Sequence, residues 1–244
     1  MEKEADIMAS EIKISLPLYK VFYAVFFVVV LSIIRGVTYI NEIGIALEPP
    51  MAMLAAVFCA DTYTQEITSN RSEIQRLYPM VKRVRSILER LAVQGIFLLL
   101  LAAVGYGLFF VFQSPRAFFY RAGGAKAEIQ EFLLYLAAII VTIGFFGTLS
   151  NTLAVFFSNV WIGIGISLGI WIVSNSSIGD KYFGSWNLFS YTFRDVESSS
   201  DFSWLHGKVV CICVAAVMLA VLPKILRGCR GSAGRKKEGQ KDEY

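Results

Sequence analysis

Apolar runs alternate with polar segments along the whole chain. Six runs are apolar enough to enter a bilayer, at about 21–40, 47–63, 91–112, 132–149, 153–173 and 207–226. About 20 apolar residues in a helix cover the hydrocarbon core of a membrane, because each residue adds about 1.5 Å. The pattern therefore predicts an all-α integral membrane protein with six transmembrane helices.

The composition favours the same class of protein. Hydrophobic residues make up 56% of the 244 residues, whereas soluble domains are roughly half apolar or less. The formal charge of +4 is modest, and most basic residues lie in the connecting segments and the C-terminal tail. Phospholipid headgroups account for basic residues in those places. We therefore expect the lipid bilayer, and no nucleic acid, as a partner of this chain.

The distribution of basic residues predicts the orientation. If both termini are cytoplasmic, the segments 1–20, 61–90, 150–152 and 224–244 hold 16 Lys and Arg residues, and the outer loops hold 5. Cytoplasmic loops carry the excess of basic residues, so we predict cytoplasmic N- and C-termini. Residues 1–20 would then form an amphipathic interfacial helix, with a frayed tail as the alternative for 1–10. Residues 227–244 would form a disordered basic tail.

Polar positions set the expected boundaries of the spans. Pro49 and Pro50 place the start of the second helix near residue 50, because proline is tolerated in a first turn. Glu48 then falls in the outer loop, and Lys208 lies at the outer lip of the last span. Residues 150–152 join the fourth and fifth spans, and so short a connection predicts an antiparallel helix hairpin.

Glycines in the fifth span indicate a face for close helix packing. Gly165 and Gly169 make a small-xxx-small step, which lets two helices approach closely. The alternatives are ordinary packing within the chain and a specific face for a second chain.

Sequence motifs of common catalytic sites are missing. The chain has no phosphate-binding loop, nucleophile elbow, HExxH or dinucleotide fingerprint. His206 is the only histidine, and Cys211 and Cys213 would point to different faces of a helix, so neither a metal site nor a disulfide is indicated. We expect no enzymatic activity and no bound cofactor. Ionisable residues are scarce in the predicted spans, which disfavours an ion-coupled carrier.

One long polar stretch, 61–90, separates the second and third spans. It carries six basic residues and four acidic ones, so the positive-inside rule places it in the cytoplasm. Apolar residues recur in it at steps of three and four, with charges between them, which is typical of an amphipathic helix. The stretch therefore predicts a cytoplasmic helix between the second and third transmembrane helices that contacts a partner.

The order of residues in this stretch is similar to that in permease subunits of ABC transporters, specifically the ABC-2 or type V exporter family. In that family an acidic residue, a short coupling helix, a proline and basic residues lead into the third helix. The matching residues here are Glu66, ITSNRSEIQRLY, Pro79, Lys82, Arg83 and Arg85. Thr68 and Ser69 stand where the family usually has a glycine–threonine pair.

The resemblance implies a plasma-membrane permease subunit of an ATP-driven exporter of an amphipathic or hydrophobic substrate, such as a peptide antibiotic, lipid or drug. A separate ATPase subunit, which binds ATP and Mg, would dock on residues 64–78, called the coupling segment below. A second permease copy or a similar permease chain would complete the pathway. The residues implied to contact the ATPase are Glu66, Ser69, Arg71, Glu73, Ile74, Arg76, Leu77 and Tyr78.

Two other functions compete with this one. The first is a non-transporting membrane scaffold or sensor subunit, whose basic loop and tail recruit another cytoplasmic protein. The second is a channel or secondary carrier, which would work in vesicles without ATP. For the coupling segment itself, the alternative is an amphipathic helix that lies on the inner headgroups.

Overall fold

The computed structural model describes residues 14–62, 80–116, 125–193 and 203–238, and it is helical apart from short connections. The helices are α1 (Leu18–Ile34), α2 (Ile40–Cys59), α3 (Met80–Gln113), α4 (Ala125–Phe157), α5 (Val160–Ser174), α6 (Ser177–Phe183) and α7 (Trp204–Glu238). In these ranges there is no strand, and an isolated bridge pairs Tyr39 with Arg116. The predicted all-α class is confirmed.

Four of these helices, α2, α3, α4 and α7, are long and apolar enough to cross a membrane. The pair Val160–Ser174 and Ser177–Trp186 passes the same test when taken together, but it bends by 73° at its break. Helix α1 has 17 residues, the lower end of the range for a spanning helix. The described chain is thus compatible with a membrane protein, while the number of six spans stays a prediction.

Helix α2 lies at the centre of the bundle. In its 18-residue apolar window 78% of the residues are buried inside the protein, against 17% for α7. Helices α3, α4 and α5 all pack against it. Its side chains Ile43, Leu47 and Met51 are completely buried. The position of α2 therefore decides which helices can meet one another.

The start of α2 differs from the sequence expectation. The Glu42 carboxylate accepts hydrogen bonds from the backbone N–H groups of Thr38 (2.9 Å) and Tyr39 (3.1 Å), and this caps the first helical turn. Pro49 and Pro50 consequently lie inside the helix, as does buried Glu48. The expected helix start near residue 50, with Glu48 in an outer loop, was wrong because Glu42 supplies an earlier cap.

The connection between α4 and α5 also lies elsewhere than expected. Helix α4 continues through residues 150–152 and ends at Phe157. The chain reverses at Ser158, where φ is 51°, and the Asn159 side chain caps α5 by accepting from the Trp161 N–H at 2.9 Å. Ser150 instead donates to the Ala56 carbonyl on α2 at 2.5 Å. The helix hairpin is present, but its turn lies at Ser158 and not at residues 150–152, because Ser150 lies within α4 and binds α2.

Beyond residue 226, α7 continues as a helix to Glu238. The backbone of residues 227–238 is therefore helical, whereas a disordered tail was predicted for 227–244, of which residues 239–244 lie outside the described residues. The N-terminal interfacial helix was predicted for residues 1–20, most of which lie outside the described residues.

Gly163 provides the closest approach between α4 and α5. A Cβ atom there would lie 2.7 Å from the Ala154 nitrogen and 2.8 Å from the Ser150 carbonyl oxygen. A Cβ atom at Gly165 or Gly169 would have nothing within 4 Å. Close packing within the chain is thus found at Gly163 and not at the expected pair. The alternative, that Gly165 and Gly169 face a second chain, stays a prediction.

Replacing Gly163 by alanine should lower the free energy of unfolding by about 1–3 kcal/mol, the usual cost of forcing a methyl group into a packed contact. The matched control is Gly169→Ala on the same helix, where the added methyl group meets open space. Thermal unfolding of the two variants and the parent in one detergent measures the difference. Equal midpoints for all three would show that α5 can move away from α4 without cost.

Candidate functional site

The eight residues implied to contact an ATPase, at positions 66–78, lie outside the described residues. The structure does, however, reveal two polar groups along α2, one near its middle and one at its C-terminal end. We call them the Glu48 cluster (Glu48, Thr142, Thr192, Lys208) and the Lys20 clamp (Lys20, Asp61, Thr62, Gln94). Each group contains an acidic side chain from α2 or its C-terminal end and a lysine from another helix.

The Glu48 cluster joins three helices and a loop. Lys208 on α7 forms an ion pair with Glu48 Oε1. Thr142 on α4 donates to the same oxygen at 2.8 Å, and Thr192 in the loop before α7 donates to Oε2 at 2.7 Å. Glu48 is completely buried, and Lys208 is 3% exposed. Two residues 160 positions apart in sequence thus share one buried site.

All three donor positions of the Lys208 ammonium group are used. Its Nζ donates to Glu48 Oε1, to Thr142 Oγ1 at 2.8 Å and to the Leu188 carbonyl oxygen at 3.0 Å. A buried ion pair is tolerated only when its mutual attraction and additional hydrogen bonds offset the loss of hydration. The cluster supplies both the opposite charge and the hydrogen bonds that such a buried pair requires.

The Lys20 clamp lies at the C-terminal end of α2, where the chain leaves for the coupling segment. Lys20 on α1 forms an ion pair with Asp61, and its Nζ also donates to the Phe58 carbonyl oxygen at 3.0 Å. The same nitrogen lies 5.2 Å from the centre of the Phe58 ring, within the range of a cation–π contact. Helix α1 is therefore joined to α2 by a charged side chain that is 2% exposed.

An adjoining hydrogen-bond chain ties α3 into the clamp. Thr62 donates to the Gln94 side-chain oxygen at 2.8 Å, and the Gln94 amide nitrogen donates to the Ser15 carbonyl oxygen at 3.1 Å. Thr62 and Gln94 are buried. The clamp thus binds the end of α2 to α3 and to the chain just before α1. The connection 63–79 leaves from this clamped end and leads into α3.

Neither group was anticipated from the sequence. The sequence predicts Glu48 in a loop, Lys208 at a membrane boundary, and Lys20 and Asp61 in cytoplasmic segments, which leaves the spans nearly free of ionisable groups. The prediction was wrong for Glu48, which lies inside α2, while the membrane depth of Lys208 stays a prediction. Their pairing has no local pattern in the chain. The only available signal was an acid beside two prolines within a long apolar run.

The described residues offer little for metal or redox chemistry. No group of three or more His, Cys, Asp and Glu side chains suitable for a metal ion occurs among them. Cys59, Cys211 and Cys213 are free thiols, the first two buried and the third exposed. What the two polar groups can do is hold helices together and respond when those helices move.

Comparisons with known proteins leave the family open. No protein-family model, no curated protein and no solved structure matches this chain. Function must therefore be inferred from the chain's own residues and geometry.

Removing one member of the Glu48–Lys208 pair should cost more than removing both. Lys208→Met leaves a buried carboxylate without its cation, which typically costs about 3–5 kcal/mol. The double variant Glu48→Gln/Lys208→Met leaves no buried charge, so its loss of stability should be clearly smaller. Unfolding midpoints of both variants in detergent give the comparison. Additive losses in the double variant would contradict an ion pair.

Proposed function

We propose that this chain is the membrane-spanning permease subunit of an ATP-driven ABC transporter in the plasma membrane. In this proposal the chain exports an amphipathic or hydrophobic substrate. A separate ATPase subunit docks on the coupling segment and hydrolyses ATP with Mg, and a second permease copy or a similar chain completes the pathway. The membrane-compatible helices and the residue order from Glu66 to Arg85 support the proposal.

The observation that carries the proposal is the Lys20 clamp. A segment that transmits force from a soluble partner to membrane helices must be attached to them stiffly, because a loose attachment would absorb the motion. Lys20, Thr62 and Gln94 are buried and the Asp61 side chain is 23% exposed, and their polar contacts join the end of α2 to α1 and α3. A docked ATPase that moves residues 64–78 would therefore move three helices together, as rigid-body switching requires.

The buried lysine of the clamp carries an energetic cost, so its presence favours a role beyond holding helices together. Burying a lysine beside a carboxylate carries a desolvation penalty that a purely apolar contact would avoid. A scaffold needs only a surface for its partner and no stiff connection through the helices. The combination of a basic amphipathic segment and a clamped base therefore favours a coupled machine over a static anchor.

The first test is to purify the tagged chain from its native cells in mild detergent and identify what remains bound. The proposal expects a stoichiometric soluble protein with a phosphate-binding loop, which is lost when residues 64–78 are scrambled. A second variant, Glu73→Gly/Leu77→Gly, should insert normally but fail to support transport. A folded, monodisperse preparation without any ATPase would contradict the proposal.

A further prediction separates docking from force transmission. Lys20→Met should leave the ATPase bound, because the coupling segment is unchanged, but should reduce the permease-dependent ATP hydrolysis of the complex by about tenfold, a usual size for coupling between sites. The control is Glu89→Gln, which breaks the exposed Arg85–Glu89 pair. Unchanged hydrolysis in Lys20→Met would show that the clamp is not part of the coupling.

A second candidate function is an ion-coupled carrier, and the Glu48–Lys208 pair favours it. Buried ionisable residues in membrane helices commonly bind or relay the coupling ion. Reconstituted vesicles distinguish the two functions, because a carrier should respond to an ion gradient in the absence of any ATPase and lose this response in Glu48→Gln. The absence of such flux, with ATP-dependent activity in the presence of the ATPase, would leave the exporter.

A further inference from the structure

The loop 187–193, between the short helix turn 184–186 and α7, is buried at the end of the bundle where α2 begins. Phe189 is completely buried, and Asn187, Ser190 and Tyr191 are at most 5% exposed. Irregular backbone is tolerated at such a place only when its polar groups find partners within the protein. The contacts that satisfy this loop therefore decide whether it stays in place.

Two contacts attach the loop to its neighbours in the chain. The Asn187 side chain donates to the Ser174 carbonyl oxygen at 2.9 Å and accepts from the Phe189 N–H at 3.1 Å. Ser190 donates to the Trp204 carbonyl oxygen at 2.6 Å. These contacts shape the loop and hold it against the ends of α5 and α7, but they do not hold it against α2.

Two polar contacts attach the loop across the bundle, and both end at the ion pair, while the Phe189 ring stacks on Phe146 of α4 at 5.6 Å between ring centres. Thr192 donates to Glu48 on α2, and the Leu188 carbonyl oxygen accepts from Lys208 on α7. Close packing surrounds them, since a Cβ atom at Gly44 on α2 would lie 2.5 Å from the Tyr191 hydroxyl oxygen. If Glu48 and Lys208 moved apart, the loop could not keep both contacts, Thr192 with Glu48 and Leu188 with Lys208, and stay in place.

We propose that the Glu48–Lys208 pair is a latch that holds loop 187–193 closed over the adjoining end of the helix bundle, and that separating the pair admits water to the residues beneath the loop. The ion pair suits this role because its members are stable only when paired or hydrated. Two arrangements are thus available to them, one closed and dry and the other open and wet. The latch needs no ATPase, so its test is independent of the exporter proposal.

Cys211 is a native reporter for the space beneath the loop. It lies three residues after Lys208, is 1% exposed, and its Sγ is 4.0 Å from the Leu188 carbonyl oxygen. In a chain with Cys59→Ala, Cys213→Ala and Cys229→Ala it is the only thiol. A charged, membrane-impermeant methanethiosulfonate reagent then reacts with Cys211 only when water reaches it.

The experiment applies this reagent to the purified protein in detergent, where it can reach both ends of the bundle, and follows the modification of Cys211. The parent should react slowly, and Lys208→Met should react about tenfold faster or more, because opening of a protected site sets its reactivity. Thr192→Val, which keeps the ion pair and removes only one loop contact, should give a smaller increase. The charge exchange Glu48→Lys/Lys208→Glu should restore slow labelling.

Lys20→Met, which breaks the ion pair at the C-terminal end of α2, is the matched control and should leave the labelling of Cys211 slow. Equal acceleration in this control would indicate general loosening and would overturn the latch. Slow labelling in every variant that remains inserted and monodisperse would also overturn it. If Lys208→Met fails to fold, the Thr192→Val result decides between an increase, which supports the latch, and no change, which contradicts it.

Discussion

The structure depends on the requirement that a charge removed from water must meet an opposite charge and enough hydrogen bonds. Helix α2 carries Glu48, and Asp61 follows its end, roughly 20 Å away at 1.5 Å per residue. Each acid is met by a lysine from a different helix, Lys208 from α7 and Lys20 from α1. These two ion pairs fix the axial position and the rotation of α2 relative to α1 and α7.

The two lysines also explain how α1 and α7, which are only partly buried, are attached to the rest of the bundle. Much of the apolar surface of α1 and α7 is exposed, as at Phe22 (72%) and Val217 (61%). In a bilayer such surfaces gain nothing by leaving lipid, because the lipid is equally apolar. Polar contacts and close packing must hold these helices instead. Lys20 and Lys208 are completely or almost completely buried and supply such contacts.

A helix with two separate polar connections links two distant parts of the protein. At its C-terminal end α2 is clamped where the chain enters the coupling segment, and near its middle it contacts loop 187–193 through Glu48. For an exporter driven from the cytoplasm, this arrangement joins the place where force arrives to the opposite face. For an ion-coupled carrier, Glu48 itself would be the responding group. The two functions thus assign different roles to the same helix.

The sequence by itself determined the class of protein, because long apolar runs have few uses outside a membrane, and it located most of the helices. It did not locate the start of α2, because the cap at Glu42 overrides the proline signal at Pro49 and Pro50. Only the tertiary structure decided which charges meet. Glu48 and Lys208 are separated by 160 positions, and no periodicity within a helix records a partner on another. The same holds for Gly163, where the backbone of α4, and not the neighbouring residues in sequence, leaves no room for a side chain.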